Sequence, residues 1–197
     1  MKAGFILECT PKGPDADIYP YVASRLCPTL TIVKPVTLGN KEGVMAEGAL
    51  NASVLLESGC DYVFIVWDRM PKWGGTGRCA DHVAHLEVEL IREGVDLARV
   101  FLCCIDEMLE SWLIADGRGV TTYFQGLTTH NVGIFPDHKK PSEQVNPKNK
   151  ITRFNGKYND YTDDFQIVKC LLDFNRVARW NASFGRFKTA IEQVCPN

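Results

Sequence analysis

The chain has 197 residues, 45% of them hydrophobic, enough for one sizeable domain with a filled core. No apolar run approaches the roughly 20 residues needed to cross a bilayer, and no basic segment leads into an apolar one with a cleavage site; neither a membrane partner nor export is expected, and the cytoplasm is the default location. Net charge is −2 but uneven: from residue 139 onward 11 Lys/Arg face 6 Asp/Glu, a net +5, which leaves −7 on the first 138 residues.

In chain order, residues 3–9 form an apolar, β-prone run that delivers Glu8 near its end. Residues 17–26 follow with Ile18, Val22 and Leu26 at helical spacing, and residues 30–36 read as a second strand. Residues 44–57 carry a broad apolar helical face that includes Met45, Ala49, Ala52 and Leu56. Residues 61–67 are a third strand, leading to Asp68; residues 81–93 are a helix with Asp81 as a candidate N-cap. Residues 99–105 give a fourth strand, followed by Asp106 and Glu107. A helix over 107–116 presents Met108, Leu109, Trp112 and Leu113, with Gly117 as its C-terminal stop.

Residues 128–158 are rich in Pro, Asn, Lys and Gly without periodicity and read as a long loop. Residues 163–174 and 183–194 are two further helices, the second capped by Ser183. Strands alternating with helices predict an α/β fold of three layers, with a mostly parallel sheet of about four strands and a helical C-terminal extension. The division expected is a core over 1–127, a basic loop over 128–158 and C-terminal helices over 159–197 packed on that core, one domain overall.

The eight cysteines are scattered, and Cys60, Cys103, Cys104 and Cys170 fall inside apolar runs, so they read as reduced core residues. Cys79, His82 and His85 have ligand-like spacing, but no CxxC pair completes a zinc site. A structural helix with one buried and one exposed His accounts for them.

The segment Ile65-Val66-Trp67-Asp68-Arg69-Met70-Pro71 carries the most information about function. Parallel α/β sheets bind ligands at the carboxyl ends of their strands, and Glu8, Asp68 and Glu107 all fall at such ends. Carboxylates there can hold Mg²⁺, a hard cation that prefers oxygen and keeps waters in its remaining positions. Taken singly, each acid is equally well explained as a cap or a surface residue.

The strand ending near Glu8, the strand ending at Asp68, Ile105-Asp106-Glu107-Met108-Leu109-Glu110-Ser111-Trp112-Leu113-Ile114-Ala115-Asp116, and Ala182-Ser183-Phe184-Gly185-Arg186-Phe187 together resemble the Toprim domain. The likeness is closer to a small bacterial Toprim-like family found in phage-defence neighbourhoods. It implies a Toprim/Rossmann-like fold and a nucleic-acid-acting hydrolase in anti-phage defence that cleaves phosphodiesters with Mg²⁺. In that family's pattern Glu8 acts as acid/base or metal ligand, and Asp68 is the first acid of an Asp-x-Asp metal pair. Met70 stands where the second Asp belongs; Asp106, Glu107 or Glu110 would have to complete a shifted site.

The departure at Met70 admits another chemistry. Trp67 and Trp73 flank Asp68 and suggest an aromatic pocket for a base flipped out of DNA, with Arg69 beside it. A DNA glycosylase needs only a carboxylate, here Asp68, and no cofactor. Ordinary core packing explains the same tryptophans. The loop Trp73-Gly74-Gly75-Thr76-Gly77 lacks the P-loop pattern and reads as a lid or substrate-contacting segment. Lys139, Lys140, Lys148, Lys150 and Arg153, with Phe154 and Tyr158 among them, suit a DNA backbone, RNA not excluded, and equally a solubilising loop. A third reading is a non-catalytic Toprim-like partner of a defence ATPase.

Overall fold

The computed structural model describes residues 1–75, 77–127 and 132–195. The chain divides into two compact units, one from Met1 to Ile105 with the segment from Arg186 on, the other from Asp106 to Gly185. The boundary between these units falls at the end of the fourth predicted strand. There Glu107 adopts a left-handed φ of 63°, a conformation that helices do not propagate.

The first unit is a three-layer α/β fold. Its elements are β1 (Lys2–Leu7), α1 (Asp15–Leu26), β2 (Thr31–Ile32), β3 (Val36–Thr37), α2 (Lys41–Glu57), β4 (Tyr62–Asp68), α3 (Cys79–Arg92) and β5 (Val100–Ile105). All the strand pairs are parallel, in the order β2-β1-β4-β5, with β3 also against β1. The expected second strand is divided because Pro35 has no N–H to give the ladder.

Alternation along the strands sorts the core. Ile6, Val63, Ile65 and Trp67 point into one apolar layer with Val44, Met45, Ala49 and Ala52 of α2 and Leu86 and Leu90 of α3. On the opposite face Phe5, Phe64 and Phe101 stack at centroid spacings of 5.1 and 5.0 Å, with Phe187 tilted against the first two. The third helix starts two residues before its expected cap: Asp81 lies in its first turn, where its carboxylate accepts two 2.8 Å bonds from Arg78.

Four cysteines depart from the reduced state expected of them. Cys27 is bonded to Cys195, and Cys79 to Cys104. Cys60 and Cys103 are buried free thiols, and Cys9 and Cys170 are free and partly buried. The first bridge spans 168 residues and closes the first unit on itself, a pairing that only tertiary proximity reveals.

The second unit is helical: α4 (Glu110–Leu113), α5 (Gly117–Gly126), α6 (Pro147–Phe154), α7 (Asp160–Lys169), α8 (Phe174–Trp180) and the start of α9 (Ala182–Gln193). The predicted 107–116 helix shrinks to one turn. Gly117 opens α5 instead of closing α4, and Asp116 is the N-cap, its Oδ1 accepting the Arg118 N–H at 3.4 Å. Residues 128–131 of the expected loop lie outside the described residues; the rest is ordered in part by α6, which begins at Pro147 behind the Asn146 cap. The start of α9 is capped by Asn181, whose Oδ1 accepts the Phe184 N–H at 2.9 Å. Ser183 instead donates to that oxygen at 2.7 Å and accepts the Trp112 indole N–H at 3.0 Å.

Candidate active site at the ends of β1 and β4

The chain leaves β1 in one direction, through α1 to β2, and returns on the other side through α2 to β4. Neighbouring strands whose connections diverge in this way leave a crevice at their carboxyl ends, where open α/β sheets bind ligands. The register pairs Leu7 with Val66, so Glu8 and Asp68 both reach that crevice. Glu8 Oε2 accepts the Asp68 backbone N–H at 2.9 Å, and the Glu8 N–H donates to the Val66 carbonyl at 3.3 Å.

Burial dominates the state of Glu8. It pushes the carboxyl up from 4.5 to about 7, against the Lys41 ammonium and the Asp68 N–H, which pull it down; Glu42 pushes it further up. Lys41 is 1% exposed, and its Nζ donates to the Arg69 carbonyl at 2.8 Å and to the Pro71 carbonyl. Burial lowers the lysine's own pKa, opposed by the charges of Glu8 and Asp68. Lys41 is thus tied to the chain that follows Asp68 while lending positive potential to both acids. The sequence pattern gives no sign of this role, since Lys41 precedes the helix expected over 44–57.

Two other groups border the crevice. Tyr19 is 1% exposed, and burial with the charges of Asp15 and Asp68 holds its hydroxyl well above its usual range. Cys9 is pushed up to about 12 by burial and by Asp15, which keeps it a thiol at neutral pH.

The remaining predicted residues divide by unit. Arg69 and Met70 are partly buried beside Asp68, and the Arg69 N–H donates to the Ile105 carbonyl at 2.8 Å. Trp67 is not a pocket wall: it is 1% exposed, and its Nε1–H donates to His82 Nδ1 at 3.2 Å within the core. Trp73 is partly buried, 4.7 Å from the His85 ring and 5.9 Å from that of His82. Thr76 of its loop lies outside the described residues. The Cys79–Cys104 bridge anchors the end of this loop to β5, where Cys104 is in register with Trp67.

Glu107 and Glu110 belong to the second unit. Glu110 is buried, and burial raises its pKa, with Lys148 pulling it down and Asp160 pushing it up. Lys148 pairs with Asp160 at 2.5 Å and Lys140 with Glu143 at 3.0 Å. Lys139 is exposed, its Nζ 5.6 Å from the Trp180 ring centroid; Lys150 is partly buried and Arg153 exposed on α6.

Mg²⁺ finds few ligands among these groups. Among the described residues no three His, Cys, Asp or Glu side chains form a metal-holding group. Where a second Asp would give oxygen, Met70 gives sulfur, and the Lys41 charge acts on both acids.

No family model, curated protein or solved structure matches this chain. A carboxyl near 7 beside a second carboxyl can give and take a proton near neutral pH, which is the chemistry of a general acid or base. No helix among the described residues is long and apolar enough to cross a membrane.

Proposed function

We propose that the protein is a nucleic-acid hydrolase, that Glu8 and Asp68 carry its chemistry, and that the bond cut is the N-glycosidic bond of a base in DNA. The supporting observation is the Glu8 carboxyl, which lies near 7 beside Asp68 at the crevice. Near neutral pH such a group can take either protonation state, so it can donate to a leaving base and be recharged by water. Asp68 stabilises the oxocarbenium-like sugar and orients the water that attacks C1′. The C1′–N bond breaks, a C1′–O bond forms, the Glu8 proton goes to the base, and the proton released by water restores Glu8. Lys41 supplies a fixed positive field at the pair.

The setting in this reading is defence against phage in the cytoplasm, following the Toprim-like pattern of Glu8 and Asp68. The test is incubation with plain and phage DNA, with and without EDTA. The expected result is alkali-labile abasic sites that persist in EDTA. Nicks that need Mg²⁺ would instead assign a metal-dependent nuclease. Absence of both products on DNA and RNA, with full phage resistance in Asp68→Ala and co-purification of an ATPase, would assign a non-catalytic partner.

A further inference from the structure

Between the first turns of α2 and the middle of α3 lies a groove of about 330 Å³ lined by Glu42, Met45, Ala46, Trp73, His85 and Glu89. It adjoins the crevice, because Glu42 follows Lys41 and its charge reaches Glu8, and because Trp73 lies two residues beyond Pro71, whose carbonyl Lys41 holds.

The lining has a consistent chemistry. Met45 and Ala46 make an apolar floor, and the Trp73 ring is positioned by the two histidine rings packed against it. The two carboxylates of the lining are acceptors. Glu42 and Glu89 are carboxylates, and His85 Nε2 is engaged by the Met45 carbonyl at 3.1 Å. Arg92 pairs with Glu89 Oε1 at 2.5 Å from α3's last turn. A flat ring suits the indole, and an acceptor-rich rim favours a ligand edge that donates.

We propose that this groove is a base-recognition subsite selecting nucleobases that carry an exocyclic amine, as adenine and cytosine do, over thymine and uracil. The ring stacks on Trp73, and the amine donates to Glu89 or Glu42, as carboxylates accept from cytosine N4 in DNA readout. This rests on the nucleic-acid reading above and adds the class of base to it.

The test is calorimetric titration of the intact protein with adenosine, cytidine, thymidine and uridine, which needs no turnover. Adenosine and cytidine should bind at least about 10-fold more tightly than thymidine and uridine, as expected for one well-placed carboxylate–amine contact. Trp73→Ala should abolish binding, Trp73→Phe should retain it, and Glu89→Gln should narrow the preference while leaving stacking. Equal binding of all four nucleosides, no binding of any, or binding of arginine amide in their place would overturn the proposal. If the nucleosides bind as expected but no abasic sites form, the hydrolase reading fails and the subsite stands. If abasic sites form at an unchanged rate in Trp73→Ala, the subsite fails and the hydrolase reading stands.

Discussion

Glu8 Oε2 accepts the main-chain N–H of Asp68 at 2.9 Å, so the first acid of the crevice is positioned by the backbone of the second. That bond favours the charged carboxylate, yet burial outweighs it and leaves the group near 7. Glu8→Gln keeps an acceptor for the N–H and removes the titrating proton. Activity should fall about 100-fold or more, the usual contribution of a general acid.

The same substitution should change stability with a defined sign. A carboxyl raised from 4.5 to about 7 on folding binds its proton more tightly in the folded state, so its contribution is complete below pH 4.5 and is lost as pH rises through 7. The rise corresponds to at most about 3 kcal/mol. Glu8→Gln should match the parent protein in urea unfolding at pH 4 and exceed it at pH 8. A variant no more stable at pH 8 would mean that Glu8 is not poised as described.

Lys41 lowers the Glu8 pKa, so Lys41→Met should move the Glu8 titration to higher pH. The alkaline limb of the pH–rate profile would follow it upward. The Arg69 and Pro71 carbonyls would also lose their donor, at a cost of about 1–3 kcal/mol for each partner left buried and unsatisfied. An unshifted profile in a folded variant would place the catalytic proton elsewhere.

The Cys79–Cys104 bridge closes a segment of sequence separation 25 and ties the residue that follows the Arg69–Arg78 loop to β5. Reduction should cost about 3 kcal/mol in chain entropy. Amide exchange around Trp73 and Gly74 should rise, while that of β1 and β4 changes little. Exchange that is the same in reduced and oxidised protein would show that packing of Trp73 on the histidines suffices to order the loop.

The strand ends were legible because β1, β4 and β5 are continuous apolar runs, which place Glu8 and Asp68 at carboxyl ends before any contact is known. Lys41 was not, since its burial arises only when the chain after Asp68 folds over it. Of the two readings open for Trp67, core packing holds, and its signal was visible: it shares parity with Val63 and Ile65, and on a strand this sends it into the same layer. The disulfides join residues distant in sequence, and apolar neighbours of a cysteine carry no information about its partner.

Gly117 shows the same limit from the other side, since a glycine after an apolar helical stretch signals a stop but does not say which helix it serves. Its place at the start of α5 comes from a close approach: a Cβ there would lie 2.4 Å from the Phe135 carbonyl oxygen. Gly117→Ala should therefore destabilise the protein by about 1–3 kcal/mol, since backbone on that side must shift. Gly126, the last residue of the same helix, would meet nothing within 4 Å and has no positive φ, so Gly126→Ala should stabilise by about 0.5–1 kcal/mol. Thermal melts of the two variants, shifted in opposite directions, would separate a glycine required by contact from one that is merely tolerated. Shifts of the same sign would mean that α5 does not pack against Phe135 in this way.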